Sequence, residues 1–238
     1  MKIEARPSPN FNDRMHDVDM LVLHYTGMET GQMALDRMCD AEAAVSAHYM
    51  VWEDGHIVQL VGEDKRACHA GVSSWQGDED LNSRSIGIEI VNRGHDFPLA
   101  NGDLEPFPIA QIDAVIELCQ GIMTRWNIPQ GRIVGHSDIA PARKEDPGEH
   151  FPWARLGGAG IGIWPRDDGV EVSGGTIADL QADLVAIGYT LPITGVRDEV
   201  TVKAVTAFQR RWVQGGVTGA ADRDTLHQLS LVKAAIVK

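Results

Sequence analysis

Glycine is concentrated in one short segment of the chain, and this segment limits where folded units can begin and end. Residues 157–162 read Gly157-Gly158-Ala159-Gly160-Ile161-Gly162, and Gly174-Gly175 follows soon after. Glycine at this density has too high a cost in backbone entropy for the interior of a helix or strand. We therefore predict a linker over residues 157–175, a first domain over 1–156 and a second domain over 176–238.

The charge of the chain changes at the same place. The 238 residues include 21 Lys and Arg against 34 Asp and Glu, a net charge of −13, and residues 171–238 hold seven of each sign. The acidic excess therefore lies in the first part, and an acidic surface repels nucleic acid and anionic membranes. No apolar run reaches the ~18 residues that a membrane span needs. We expect a monomer with no nucleic-acid partner and no membrane span.

Apolar patterning in the first part alternates between the periods of strands and helices. The dipeptide Asp54-Gly55 separates two strand-like runs and predicts a hairpin turn. Apolar residues from 109 to 126 recur at helical spacing, and Pro108 suits the first turn of that helix. We predict strands over 20–24, 47–52, 56–61, 86–91 and 132–135, and helices over 33–38 and 109–126. This order predicts an α/β domain with a mixed central sheet flanked by helices.

The second part has the spacing of a small all-α domain. Three apolar stripes each return every three or four residues, as one face of a helix does. Gly188 ends the first stripe, and Asp198 precedes the second as a candidate N-cap. We predict three helices whose inward faces include Leu180, Leu184 and Ile187, then Val205, Phe208 and Trp212, then Leu226, Leu229 and Val232.

Two histidines and an aspartate are candidates for chemistry. His24 ends the first predicted strand, His136 follows the last, and Asp146 comes ten residues later. Two imidazoles and one carboxylate make an open zinc site with a fourth position for water or substrate. The spacing matches no local metal motif, so hydrogen-bonded structural histidines are the alternative interpretation.

Four separate blocks of the first part resemble type 2 N-acetylmuramoyl-L-alanine amidases, and they occur in the order of that family. The blocks are Leu23-His24-Tyr25-Thr26, Ser46-Ala47-His48-Tyr49, Ala67-Cys68-His69-Ala70-Gly71-Val72-Ser73 with Leu81-Asn82-Ser83-Arg84-Ser85-Ile86-Gly87-Ile88-Glu89, and Gly135-His136-Ser137-Asp138-Ile139-Ala140-Pro141-Ala142-Arg143-Lys144-Glu145-Asp146-Pro147-Gly148. The resemblance covers about residues 15–155. Peptidoglycan recognition proteins share this fold.

The resemblance implies that His24, His136 and Asp146 bind zinc. Zinc lowers the pKa of water from ~16 to near 7. Glu89 matches the family's catalytic carboxylate, which carries a proton from the water to the departing amine. Lys144 matches a lysine that stabilises the oxyanion.

Four further residues are candidates for binding substrate. His69 and Asn82 match positions that line the family's cleft, although packing or orientation of a ligand is the alternative role for His69. Arg66 is a candidate anchor for a substrate carboxylate, its alternative being a surface ion pair. Tyr25, directly after His24, resembles the branch of the family that acts on cell-wall material.

The second part resembles a three-helix peptidoglycan-binding module. The matching residues include Leu180-Gln181, Gly188-Tyr189, Phe208-Gln209, Val217-Thr218-Gly219 and Thr225-Leu226. Most of these positions are also what a helical core requires. The module is therefore either an anchor to the cell wall or a packing domain that shapes the cleft.

We interpret the chain as a bacterial zinc amidase. It would cleave the amide between the lactyl group of N-acetylmuramic acid, or of its 1,6-anhydro form, and the L-alanine of the stem peptide. The partners would be peptidoglycan or muropeptide fragments. The alternatives are a non-catalytic recognition protein and a zinc peptidase acting within the stem peptide.

Cysteine usage and the first residues of the chain bear on its compartment. Cys39, Cys68 and Cys119 are odd in number and form no CxxC pair, which is typical of free thiols in a reducing compartment. The first residues lack the pattern of a secretion signal. We expect the cytoplasm, with the periplasm as the alternative if a signal sequence has been removed.

Overall fold

The computed structural model describes residues 2–165 and 175–236, and a six-stranded mixed sheet forms its centre. The order of the strands in this sheet is β1-β5-β4-β7-β3-β8, while β2 and β6 pair separately. Strands β3, β7 and β8 are parallel neighbours, and β4 and β5 form the predicted antiparallel hairpin around Asp54-Gly55. The strands are β1 (Ile3–Ala5), β2 (Phe11–Asp13), β3 (Met20–Tyr25), β4 (Tyr49–Val51), β5 (Ile57–Gln59), β6 (Lys65–Ala67), β7 (Ser85–Ile90) and β8 (Ile133–Gly135).

Eight α-helices accompany these strands in the described residues. They are α1 (Gly31–Cys39), α2 (Leu81–Arg84), α3 (Ile109–Trp126), α4 (His136–Ile139), α5 (Trp153–Gly158), α6 (Ile177–Ile187), α7 (Glu199–Trp212) and α8 (Arg223–Ile236). The predicted helix over 109–126 is confirmed, but Pro108 is its N-cap rather than part of its first turn. Within residues 2–165 and 175–236, no helix combines the length and the apolar character needed to cross a bilayer.

The two faces of the sheet are covered by different elements because side chains alternate along each strand. On β3, Leu21 and Leu23 belong to the core that α3 covers. Met20 and Val22 point the other way and belong to a second core. His24 continues the alternation of Met20 and Val22, so it lies at the end of that second face.

The second core joins the sheet to the helical part of the chain. Met20, Val22 and Val134 from the sheet share one apolar cluster with α6, α7 and α8. The predicted all-α arrangement after residue 176 is confirmed, and so are Gly188 as the C-cap of α6 and Asp198 as the N-cap of α7. The helical contributors include Leu180, Leu184, Ile187, Tyr189, Val205, Phe208, Trp212, Leu229 and Val232.

The glycine-rich segment begins as packed structure, so the predicted start of the linker is wrong. Gly157 and Gly158 form the end of α5, and Ile161 is buried. A Cβ atom at position 157 would lie 2.2 Å from Cβ of Trp164, so glycine here permits a close approach of two chain segments. The part of the predicted linker over 166–174 lies outside the described residues. The division into two domains stays a prediction.

Candidate active site

Three potential metal ligands converge at the carboxyl end of the central parallel strands. His24 lies on β3, and His136 begins α4 directly after β8, the neighbour of β3. Nδ1 of His24 lies 2.9 Å from Nδ1 of His136 and 2.9 Å from Oδ2 of Asp146, and the third side of the triangle is 3.1 Å. All three residues are buried. The structure therefore brings together the three predicted ligands from distant parts of the sequence.

The other ring nitrogen of each histidine has its own partner. Nε2 of His136 donates a hydrogen bond of 3.1 Å to the carbonyl oxygen of Ala70. Nε2 of His24 lies 3.0 Å from Nδ1 of His69. Burial is the main cause that lowers the pKa of His24 to about 4, and the electrostatic effect of His136 is the second. The ring of His24 is therefore neutral at pH 7. A neutral imidazole is the form that binds metals.

The donor set fits a zinc ion. Burial alone would raise the pKa of Asp146, but the two histidines outweigh this effect and hold the pKa well below its usual range. The carboxylate therefore stays charged, and the Nδ1 lone pair of His136 faces it at about 3 Å. Lone pairs and a carboxylate gathered this closely can hold a metal cation between them. Two nitrogens and one oxygen are ligands that Zn²⁺ accepts, and a fourth position stays open.

Glu89 has the environment of a proton carrier. It is paired in register with His24 across β3 and β7, so both side chains leave the same face of the sheet. Its Oε2 atom is buried and has no hydrogen-bond partner among the described residues. Burial is the main cause that raises the pKa of Glu89 well above its usual value, and the negative charge of Asp146 is the second. The positive charge of Lys144 opposes that shift. A carboxylate whose pKa is raised in this way takes up a proton more readily than an exposed one.

A cleft of about 870 Å³ opens over these groups, a volume suited to a sizeable ligand. Lys144, Tyr25 and Glu89 line it together with the three metal-ligand candidates. The hydroxyl group of Tyr25 lies 2.9 Å from Nδ1 of His95. One wall of the cleft comes from α1 and another from α7, so the helical part of the chain contributes to the site.

His69 lines the cleft, Asn82 is absent from the lining formed by the described residues, and both hold other groups in place. Both ring nitrogens of His69 contact protein atoms, His24 on one side and Ser85 on the other. The side-chain oxygen of Asn82 accepts hydrogen bonds from the backbone N–H groups of His69 and Ala70, at 2.9 and 2.8 Å. Both ring nitrogens of His69 and the side-chain oxygen of Asn82 are thus engaged within the protein, and contact of either residue with substrate stays a prediction.

Arg66 forms the ion pair that was its alternative interpretation. Its Nη2 atom lies 2.8 Å from Oδ1 of Asp80. It is absent from the cleft lining formed by residues 2–165 and 175–236. The predicted contact between Arg66 and a substrate carboxylate therefore has no support in this arrangement.

The sequence did not indicate the cleft residues of α7. Lys203, Thr206 and Arg210 line the cleft, and the Arg210 guanidinium contacts the carboxylate of Glu145, next to Asp146. They occupy ordinary polar positions on an amphipathic helix, and only the docking of that helix brings them to the site. An arginine at 210 followed by a second at 211, on a helix with a buried aromatic face, was the one available signal.

Comparison with known proteins identifies the family. The N-acetylmuramoyl-L-alanine amidase family model matches residues 14–149, more than half of the chain, and a peptidoglycan binding domain model matches residues 173–229. The N-acetylmuramoyl-L-alanine amidase AmiD of Escherichia coli (strain K12) is 42% identical over 222 residues, which span 87% of this chain and 79% of AmiD.

Solved structures agree with this match. AmiD from E. coli, in complex with the substrate anhydro-N-acetylmuramic acid-L-Ala-D-γ-Glu-L-Lys, superposes with a TM-score of 0.80 at 32% identity, covering 93% of this chain and 91% of AmiD. AmpDh3 from Pseudomonas aeruginosa, in complex with an anhydromuramic pentapeptide, gives 0.79 at 33% identity, covering 95% and 94%. The chain belongs to the N-acetylmuramoyl-L-alanine amidases, which hydrolyse the amide between the lactyl group of N-acetylmuramic acid and the L-alanine of the stem peptide.

Proposed function

We propose that this amidase is a zinc enzyme that uses His24, His136 and Asp146 as ligands. The observation that carries the proposal is the triangle of Nδ1, Nδ1 and Oδ2 atoms, 2.9–3.1 Å apart, beside the unpartnered Oε2 of Glu89. A zinc ion in such a site lowers the pKa of a water molecule to about 7 and polarises a carbonyl group.

The chain's own residues move the protons and stabilise the charge. Oε2 of Glu89 accepts a proton from the attacking water and delivers it to the nitrogen of the departing L-alanine amine. The ammonium group of Lys144 lies in the same cleft and close enough to Glu89 and His24 to influence the pKa of each. It stabilises the negative charge that develops when the carbonyl carbon becomes tetrahedral.

We propose muropeptides with a 1,6-anhydro sugar as substrates. The relatives AmiD and AmpDh3 bind anhydromuramyl peptides in their solved complexes, and each structure covers more than nine tenths of this chain. The cleft of about 870 Å³ has room for a sugar and the first residues of its peptide. Cytoplasmic location and a monomeric state stay predictions that cell fractionation and analytical ultracentrifugation would check.

Mass spectrometry of a defined muropeptide tests the proposed activity. The zinc-loaded protein is incubated with anhydromuramyl tetrapeptide and, separately, with the corresponding reducing-sugar peptide. We expect free stem peptide and the muramyl sugar, no product after treatment with a chelator, and recovery when zinc is returned. Cleavage within the stem peptide would indicate a zinc peptidase instead. Intact substrate with bound zinc would indicate a non-catalytic recognition protein.

A further inference from the structure

The second nitrogen of His24 determines whether this residue can bind a metal at all. A neutral imidazole carries one N–H group and one lone pair, and only the lone pair binds a cation. Nδ1 of His24 points to the cluster with His136 and Asp146, and Nε2 points to His69. His24 can therefore bind a metal ion in this cluster only as the tautomer that carries its proton on Nε2.

A chain of hydrogen bonds behind His24 specifies this tautomer. The carbonyl oxygen of Leu81 can only accept, so the hydroxyl group of Ser85 donates to it at 2.5 Å. The Ser85 oxygen lies 3.2 Å from Nε2 of His69, and with its own proton committed it accepts a hydrogen bond from that nitrogen. His69 then has its lone pair on Nδ1, which accepts from Nε2–H of His24 at 3.0 Å.

Packing holds the His69 ring in this position. A Cβ atom at position 87 would lie 2.5 Å from Cγ of His69, so the glycine of β7 makes room for the imidazole. The ring stands edge-on to that of His24, with centroids 5.1 Å apart. Ser85 is fully buried and His69 is 9% exposed, so solvent competes little for these hydrogen bonds.

We propose that His69 and Ser85 are positioning residues that fix His24 in its Nε2-protonated tautomer and so reserve its Nδ1 atom for the metal. This inference rests on the zinc site of the proposed function. The adjacent carbonyl group of Ala70 accepts from Nε2 of His136, so one segment, His69–Ala70, orients both histidine ligands. In this role both residues act through His24.

Two substitutions of similar shape isolate the hydrogen bond to His24. His69→Asn places an accepting oxygen where Nδ1 stood, whereas His69→Leu places a methyl group there. Both leave the same space above Gly87, so their difference reports the acceptor. Zinc affinity is measured by competition with a chromophoric chelator. We expect the Leu variant to bind zinc 10- to 100-fold more weakly than wild type, as outer-shell changes typically do, and the Asn variant to bind within about threefold of it.

A second pair of variants tests the hydrogen bond between Ser85 and His69. Ser85→Ala removes the acceptor for His69 Nε2–H and should weaken zinc binding several-fold. Ser83→Ala is the matched control, since Ser83 is also fully buried but its oxygen accepts from the backbone N–H of Met15 instead. It should leave zinc affinity at the wild-type value.

Nitrogen NMR reads the tautomer directly. In ¹⁵N-histidine-labelled, zinc-free protein, with the fold checked by circular dichroism, His24 should show a proton on Nε2 in the wild type. His69→Leu should lose that preference. A proton on Nδ1 of His24 in the wild type, or equal zinc affinity in the Asn and Leu variants, would overturn the proposed role of His69 and Ser85. Wild-type protein that binds no zinc would overturn the proposed function instead, a distinct result.

Discussion

At the scale of single residues, burial of the Glu89 carboxyl group lowers the stability of the fold, and its place in the site explains why it is there. An unpartnered, buried carboxyl oxygen destabilises a fold, since nothing in the protein replaces its lost hydration. The proposed catalytic role explains why such a group is retained here, beside the proposed zinc ligands His24 and Asp146. The raised pKa makes its carboxylate form a stronger proton acceptor than an exposed carboxylate.

Glu89→Gln tests this role. The amide is nearly isosteric with the carboxyl group but cannot accept the water's proton, so turnover should fall about 10²- to 10⁴-fold. Zinc affinity should stay within about threefold of wild type, because Glu89 is not a ligand. Glu53→Gln, on the exposed turn between β4 and β5, is the control and should keep full activity. Undiminished turnover in Glu89→Gln would contradict the assignment.

The pair of His95 and Glu149 should make stability depend on acid. Burial alone would raise the pKa of Glu149, but the hydrogen bond from His95, a backbone N–H and the charges of His95 and Arg210 together outweigh it and lower the pKa to about 2 from an ordinary 4.5. The folded state therefore binds this proton less readily than the unfolded chain. The stabilisation is complete above pH 4.5 and is lost as the pH falls towards 2.

Urea denaturation at several pH values measures this dependence. Between pH 5 and about pH 3, wild-type stability should fall more steeply than that of Glu149→Gln, which has no carboxyl group to protonate. In the same variant the pKa of His95, raised in the wild type first by its hydrogen bond to Glu149, should fall in an NMR titration. Parallel pH profiles and an unchanged His95 would contradict the prediction.

At the scale of elements, the helix α3 and the strand β3 were predictable because each carries a complete local signal. The 109–126 stripe keeps its period for five turns, and the run from Met20 is bounded by polar residues. The short strands β1, β2 and β6 have three residues each, too few to show a period. Their pairing depends on partners far away in sequence, which local spacing does not encode.

The sequence indicated the candidate metal ligands but not the contacts of the residues packed around them. His24, His136 and Asp146 were found through four blocks that resemble a family, since their separation of 112 and ten residues has no local meaning. The place of His69 beside His24 follows from how the loop after β6 packs against β7 at Gly87, which local spacing does not encode. The choice between the two roles of Arg66 stayed open because local spacing does not show that Asp80 lies beside it.

The glycines of α5 offer a test within one helix. Gly157→Ala would push a methyl group into Trp164 and should destabilise the protein by about 1–3 kcal/mol. Gly158→Ala, the control, meets no described atom within 4 Å and should be neutral or stabilising by up to about 1 kcal/mol. The free energy of unfolding in urea distinguishes them. Equal values would mean that Trp164 does not pack as described.

At the scale of the whole molecule, one buried ion pair ties the helical part to α4, the helix that begins with the proposed ligand His136. Asp138, two residues after His136, accepts from Nη1 of Arg211 at 2.9 Å and from the hydroxyl group of Tyr189 at 2.7 Å. The guanidinium lies between the rings of Trp153 and Trp212, about 4 Å from each centroid. This contact and the shared apolar core argue that the two parts fold together.

Arg211→Met should therefore cost about 3–5 kcal/mol of stability, because it leaves Asp138 buried without its counter-charge. Adding Asp138→Asn should restore a large part of the loss, since the unpaired charge is gone. Both are read from urea denaturation, and calorimetry of the wild type should show one transition for the whole chain. Two separated transitions, or a double variant no better than Arg211→Met, would contradict the coupling.

The wall that α7 contributes to the cleft has a practical consequence for anyone who wants to rebuild this enzyme. The helical part cannot simply be replaced by another binding module. Its replacement would remove one wall of the cleft and expose the apolar side chains of Met20, Val22 and Val134 to solvent. A successful chimaera must keep the contacts between the two parts as well as the module: Asp138 and Trp153 on the amidase side, Arg211 and Trp212 on the helical side.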